Sequence, residues 1–506
     1  MNPWVVSKFL GQFLLALAAL MAPSAAWSVW YAEWATLIAF LKAMALTAAA
    51  GGLMTLLGRR AKNILFQREA LGLVGIGWLL LAGAGALPYM LAGVMGPIDA
   101  YFESMSGFTT TGSTVLTDIE AAPKGILFWR SFTHWVGGMG IIVLFIAVLP
   151  YLGAGGKQLF RSETPGPEPS GLSPRIRDTA SILWRIYLAF TVAQTVLLMA
   201  AGMNLFEALC HTFGTLGTGG FSTRQASIAG FNSLAVEIII IVFMALAGSN
   251  FSLYFAMWHG DWRALFKNTE WNVYIAIFVI ATFLIAVNLL WAAPASRPGN
   301  AAIAGDADDR ATLPASGPYG APHAIRLSAF QAVSIMTTTG YCTHDFDCWP
   351  EFSRMLLVVL MFVGGCAGST GGGIKVIRIV MLAKMVYWRV ESTFRPKTVR
   401  LIRINDAIID DGVQRMVYAF FVLYIAVFVG ASLCMAALGL PFASAATSVA
   451  ATLNNVGPGM ELVGAVEDFS QVPGAGKALL SLCMVMGRLE LFSICVLFLP
   501  AFWKHS

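Results

Sequence analysis

Long apolar runs, broken by short polar stretches, set the rhythm of this chain. The first covers residues 9–27 and the second about Thr36 to Leu57. A three-part pattern then recurs four times: a long apolar run, a shorter segment ending in a Gly- and Thr-rich stretch, and a second long run. In the first copy these are 71–95, Ile98 to Gly107, and His134 to Tyr151. In the second they are 181–202, Leu205 to Phe213, and 234–257; in the third, 272–293, 325–336 and 355–385; in the fourth, 416–438, 442–453 and 474–502. Runs of about 20 residues have helix length, whereas barrel strands need about 10 with alternation. Backbone in lipid must satisfy its own hydrogen bonds. The pattern therefore predicts an all-α polytopic membrane protein. It has two leading helices (1–60) and four parallel helix–pore-loop–helix repeats around a central pore. The repeats span 61–155, 156–262, 263–390 and 391–506. The first run, led by Lys8 and ended by Pro23-Ser24-Ala25-Ala26, fits either a signal peptide or a membrane helix.

Charge fixes the orientation. Only 12% of residues are charged and 58% are hydrophobic, against roughly a quarter charged in soluble domains. A soluble protein of this composition would have too much apolar surface to hide. The net charge of +5 does not indicate nucleic acid, because the basic residues gather in particular loops. One group is Arg59, Arg60, Lys62 and Arg68; another is Lys157, Arg161, Arg175 and Arg177 in the 153–180 linker. Arg263 and Lys267 follow, then Arg389, Arg395, Lys397, Arg400 and Arg403 within 384–415. Each group follows a second span, so the positive-inside rule puts these loops in the cytoplasm and the Gly/Thr stretches on the opposite face.

Those four stretches carry the candidate chemistry. They are Phe108-Thr109-Thr110-Thr111-Gly112-Ser113-Thr114, Gly217-Thr218-Gly219-Gly220-Phe221-Ser222-Thr223, Thr337-Thr338-Thr339-Gly340-Tyr341, and Leu453-Asn454-Asn455-Val456-Gly457-Pro458-Gly459. Gly112, Gly220, Gly340 and Gly457 are spaced 108, 120 and 117 residues apart by subtraction. A dehydrated cation needs a ring of oxygens in place of its water shell, and converging backbone carbonyls supply one. Glycine permits the dihedrals and keeps the path clear. Helix C-termini aimed at the centre favour positive charge. The candidate ion-binding residues are Thr110, Thr111 and Gly112; Thr218, Gly219 and Gly220; Thr338, Thr339 and Gly340; and Asn455, Val456 and Gly457. One such stretch alone would read as helix packing or a turn; four in the same setting read as a filter. The second loop is the irregular one. Phe102 lies ten residues before Gly112, but Phe206 lies fourteen before Gly220. Gly217 or Gly219 could share the role, although Phe221 follows Gly220 as Tyr341 follows Gly340.

Within 355–385, Gly364-Gly365-Cys366-Ala367-Gly368-Ser369-Thr370-Gly371-Gly372-Gly373 interrupts the apolar run. Each helical glycine costs about 1 kcal/mol against alanine, so the stretch reads as an intramembrane loop rather than a small-residue helix crossing. Gly371, Gly372, Gly373 and Lys375 are candidate gate residues. Lys375 is either a gate charge or a side chain snorkelling to the surface. Arg488 is a charge inside the last span. It is either a gate element or a structural partner of loop carbonyls, with Glu490 badly placed on a helix to pair with it. Cys342 and Cys348 share an outer loop, as a disulfide or as two thiols. Asp118, Glu120, Asp345, Asp347 and Glu351 would draw cations to the entrance or be solvated loop charges. No GxxxxGK[ST] occurs. No nucleophile–base pair or metal constellation occurs at membrane depth, so an enzyme is not expected. An ion-coupled symporter with alternating access is the alternative to a pore.

Together the four stretches resemble the Trk/Ktr/HKT superfamily of potassium transporters, and within it the bacterial Trk-type membrane subunits, over almost the whole chain. The resemblance implies one filter glycine per repeat, carried here by Gly112, Gly220, Gly340 and Gly457, with potassium ions bound in the filter and no catalytic cofactor. Plant relatives with serine at the first position favour sodium, so Gly112 implies potassium. The resemblance also implies a retained first helix, a gating loop in the third repeat, and Arg488 below the filter. It further implies a homodimer in the lipid bilayer of the bacterial cytoplasmic (inner) membrane. A cytosolic nucleotide-binding, TrkA-like ring would dock on 384–415, a loop that otherwise serves orientation and anionic lipid contact.

Overall fold

A computed structural model of the chain describes residues 2–61, 66–140, 176–291, 320–396, 402–405 and 407–503. Helix α1 (Pro3–Leu20) runs into α2 (Ala22–Trp30) and packs along α3 (Trp34–Leu57). Gly11 faces Gly51 so closely that a side-chain carbon at Gly11 would sit 2.6 Å from the Gly51 carbonyl. Small residues let two helix backbones approach this way in a membrane. The first repeat holds α4 (Gln67–Leu91), α5 (Pro97–Phe108) and α6 (Lys124–Trp135). The second holds α7 (Ile176–Ala200), α8 (Leu205–Leu216), α9 (Leu234–Ala247) and α10 (Phe251–Trp258). The third holds α11 (Thr269–Trp291), α12 (Ala321–Met336), α13 (Glu351–Met361) and α14 (Val376–Phe394). The fourth holds α15 (Asp411–Ala437), α16 (Phe442–Leu453) and α17 (Gly474–Arg488). A two-rung hairpin pairs β1 (Arg403–Ile404) with β2 (Ala407–Ile408).

The layers are inverted relative to a soluble protein. Only 28%, 28% and 22% of the apolar stretches of α7, α11 and α15 are buried. Their remaining apolar surface faces lipid. The short helices α5, α8, α12 and α16 carry Ser106, Thr212, Thr215, Ser334, Ser448 and Thr452, all buried. Polar side chains thus sit at the centre, beside the loops that follow these helices. Among the described residues, six helical spans, α1 and α2 together forming one of them, are long and apolar enough to cross a membrane.

Three predicted spans differ from the structure. The described part of the run placed at His134 to Tyr151 continues a helix that starts earlier, at Lys124, and passes into a π-turn at Val136–Gly140. The polar residues Lys124, Arg130 and His134 hid that helix. The run 234–257 bends by 94° at Gly248-Ser249-Asn250. The break is tolerated because its backbone groups find partners in protein. Cys366 N donates to Gly248 O at 2.8 Å, Phe251 N donates to Gly368 O at 3.2 Å, and Asn250 caps Ser252 N at 2.9 Å. The run 474–502 stops as a helix at Arg488, after which Glu490 and Leu491 take φ of +54° and +61°. The second half of the 134–151 run, most of the 153–180 linker and 295–323 loop, and Lys62, Lys397 and Arg400 lie outside the described residues.

Candidate functional site

Each of the four short helices ends in the same way. The peptide N–H groups of Thr111, Gly219, Thr339 and Val456 reach back five residues to Ser106, Gly214, Ser334 and Ala451, at 2.9, 2.8, 2.9 and 2.8 Å. Those of Thr110, Thr218, Thr338 and Asn455 reach back three, to Gly107, Thr215, Ile335 and Thr452, at 3.1, 3.1, 3.0 and 3.3 Å. This pair of bonds is the Schellman ending, which places one residue in the left-handed region. Here that residue is Thr110, Thr218, Thr338 or Asn455, with φ of 55°, 55°, 58° and 56°. Threonine is an unfavourable choice there, and strain of about 1–3 kcal/mol persists only where the surroundings enforce it. Two residues further on, Gly112, Gly220, Gly340 and Gly457 take φ of 87°, 76°, 79° and 106°.

That geometry sets the register of the second loop. Gly217 lies at the end of α8 in right-handed conformation. Gly219 occupies the place held elsewhere by Thr111, Thr339 and Val456. Gly220 aligns with the other three positive-φ glycines.

The loops close on one another in chain order. A side-chain carbon on Gly112 would be driven into the carbonyl oxygen of Gly219, one on Gly220 into that of Thr339, and one on Gly340 into that of Val456. On Gly457 it would lie 2.8 Å from the carbonyl oxygen of Thr111. Four glycines and four carbonyls therefore alternate around one ring, and no other residue fits at those positions without moving backbone. Bonds between loops hold it. Ser113 Oγ donates to Gly457 O at 2.8 Å, Asn455 Nδ2 donates to Thr111 Oγ1 at 2.9 Å, and the Tyr341 hydroxyl donates to His211 O at 3.2 Å.

A vestibule opens over the ring, lined by all four glycines with Ser113, Arg224, Gln225 and Glu467 among others. Most acids predicted for its entrance are engaged elsewhere. Asp118 caps Ala121 N at 3.0 Å, Asp345 caps Asp347 N at 3.0 Å, and Arg354 pairs with Glu351 at 2.7 Å and Asp347 at 3.4 Å. Glu120 accepts a long bond from Gln225 N, 3.4 Å. Cys342 and Cys348 are not joined in a disulfide, and Cys348 Sγ donates to Asp345 Oδ2 at 3.3 Å. Burial, then the Asp345 carboxylate, pushes the Cys342 thiol well above its ordinary range, so it stays protonated.

The sequence reading missed Glu103 and Arg130. They form a buried ion pair at 2.6 Å with exposures of 0% and 2%. The Glu103 carboxylate also accepts from Thr114 Oγ1 and Val115 N, both at 2.9 Å, and Arg130 Nη1 donates to Ser222 O at 2.9 Å. The pair therefore fastens the outer limbs of the first and second loops. Phe206-Glu207 repeats the Phe102-Glu103 pair about one helical turn further from its glycine, and Glu207 pairs with Arg224 at 3.0 Å. That echoed acid was the available signal.

The stretch 364–373 lies directly under the ring. Gly372 N donates to Thr338 Oγ1 at 2.7 Å, and Thr218 Oγ1 donates to Thr370 O at 3.0 Å. Lys375 is buried and donates to Gly371 O, so it does not snorkel. Arg488 donates to Thr370 O at 2.8 Å, Gly137 O at 2.5 Å and Gly138 O at 2.8 Å. Glu490 pairs instead with Arg378. One further carboxylate, Glu270 at the start of α11, holds the loop from its flank. Its Oε1 accepts from Ala367 N at 2.8 Å and Ile377 N at 3.1 Å. Glu270→Ala leaves both donors unmet, at about 1–3 kcal/mol each. A clear fall in melting temperature of the detergent-purified protein is expected, with Glu270→Gln intermediate. An unchanged melting temperature for Glu270→Ala would show that the carboxylate does not hold the loop.

Residues 37–505 match the family TrkH, described as cation transport protein. The Trk system potassium uptake protein TrkH of Halomonas elongata is 38% identical over 99% of both chains. That of Escherichia coli K12 is 37% identical over 92% of both. The fold is similar to the crystal structure of the potassium transporter TrkH from Vibrio parahaemolyticus, with a TM-score of 0.85 and 35% identity over the whole of both chains.

Proposed function

This chain belongs to the TrkH family of cation transport proteins, and we propose that it is a Trk-type potassium uptake protein whose four loops are the selectivity filter. One observation carries the filter reading: the closed ring in which each loop's glycine abuts the next loop's carbonyl oxygen. Such a ring offers a dehydrated cation a fixed set of oxygens. The inter-loop bonds resist its shrinking around a smaller ion. Thr110, Thr111, Thr218, Gly219, Thr338, Thr339, Asn455 and Val456, with the four glycines, contribute the oxygens or their support.

The stretch 364–373, with Lys375 and Arg488, is the gate on the inner side. The repeats run through the cytoplasmic membrane of a bacterium, as a homodimer. A cytosolic nucleotide-binding subunit docks on the basic 384–415 segment and moves the gate. The alternating-access symporter has nothing in its favour here: the loops form one fourfold ring rather than the inverted pair common in such carriers.

The test is ion uptake into proteoliposomes containing the purified full chain, with potassium or sodium outside and no other gradient. Potassium uptake well above sodium uptake is expected. Equal uptake, or potassium uptake that needs a proton or sodium gradient, would sink the reading. Potassium-dependent growth rescue by the chain alone, then with a cytosolic partner, tests the regulatory subunit.

A further inference from the structure

Loop two lacks the side chains that brace the others from behind. In loops one and three, threonines flank the left-handed residue, and their hydroxyls meet: Thr109 with Thr111, and Thr337 with Thr339, both at 2.8 Å. Loop four has Asn454, tied to the Tyr424 hydroxyl at 2.8 Å, and the buried Val456. The corresponding residues of loop two are Gly217 and Gly219, which have nothing to offer and the most conformational freedom to lose.

The space behind loop two is filled from another repeat. His134, near the end of α6, is fully buried. Its imidazole lies where a Gly219 side chain would project: a carbon added there would fall on the ring. The same ring packs on Phe221, centroids 4.1 Å apart. Its Nδ1 lies 2.9 Å from Gly107 O. A carbonyl only accepts, so Nδ1 carries the proton and donates. One side chain thus ties the last turn of α5, which leads into loop one, to both flanks of Gly220 in loop two.

We propose that His134 is a positioning residue for ion selection, supplying to loop two, across the repeat boundary, the backing that loops one and three build from their own threonines. This rests on the filter reading above. Without the imidazole, Gly219 and Phe221, on the two flanks of Gly220, face a cavity in a close-packed region, where the backbone has room to relax. A ring held rigidly on three sides and loosely on the fourth discriminates less well by ion size.

The test uses the full chain in proteoliposomes, with the potassium-to-sodium uptake ratio as readout. His134→Ala is expected to lower that ratio by about tenfold, the scale of losing one buried contact. Gly219→Ala alone should abolish most uptake, because its methyl meets the ring. Combining His134→Ala with Gly219→Ala should recover uptake and ratio together, since the cavity accepts the methyl. His134→Asn, whose side-chain N–H replaces Nδ1–H, should retain more of the ratio than alanine does. An unchanged ratio in His134→Ala, or a double variant no better than Gly219→Ala, overturns the proposal. Gly220→Ser separates the two levels. If it leaves the ratio unchanged, the filter reading falls; if it lowers the ratio while His134→Ala does not, only the role of His134 falls.

Discussion

Gly112→Ser is expected to lower the preference for potassium over sodium by about tenfold or more, while leaving ion uptake measurable. Two effects act together. Gly112 sits at φ +87°, where a residue with a side chain is strained by about 1–3 kcal/mol. The new carbon would also be driven into the Gly219 carbonyl oxygen, which belongs to the next loop. The strain therefore does not stay local. It moves a carbonyl of the ring and, through the Ser113–Gly457 bond at 2.8 Å, reaches the fourth loop as well. A carbonyl turned off its position no longer replaces water for the larger ion as well as before. Sodium, which keeps more of its water, loses less. Reversal potentials with potassium and sodium on opposite sides of a bilayer would measure this, and unchanged potentials would remove Gly112 from the filter.

The ring was legible in the sequence because it repeats. Four loops at similar spacing reveal what one conceals, and Phe221 and Tyr341 put Gly220 and Gly340 in the same register that their φ values share. The stretch 364–373 was legible from its glycines, which are too many for a helix. What escaped was whatever depends on a partner far along the chain. Arg130 is tolerable in a membrane because Glu103 lies beside it, 27 residues earlier. Without that knowledge Arg130 only made a helix look polar. Glu270 serves a loop about a hundred residues later. The bend at Gly248-Ser249-Asn250 exists because residues 366 and 368 take up its backbone groups. His134 gave no pattern, since its counterpart in two other loops is a threonine within the loop itself.

Removing the charge of Arg488 is expected to raise potassium leak in the absence of any partner, by about ten- to a thousandfold. The upper figure follows from electrostatics: unit charges about 4 Å apart repel by about 4 kcal/mol at an effective dielectric of 20, about a thousandfold in occupancy. The lower figure allows for distance and residual water. Arg488 donates to Thr370 in the stretch below the ring and to Gly137 and Gly138 in the first repeat. It therefore holds a positive charge under the ring and also laces two repeats together. These roles separate by substitution. Arg488→Gln removes the charge and keeps a donor; Arg488→Lys keeps the charge and loses the planar fork that serves three carbonyls. If the charge bars cations, glutamine leaks and lysine stays tight, although both melt earlier than the parent protein. If Arg488 only laces, both variants lose stability alike and neither leaks beyond the parent. Passive potassium uptake by proteoliposomes, set beside melting temperatures in detergent, distinguishes the outcomes, and a tight Arg488→Gln protein would take the charge out of the gate.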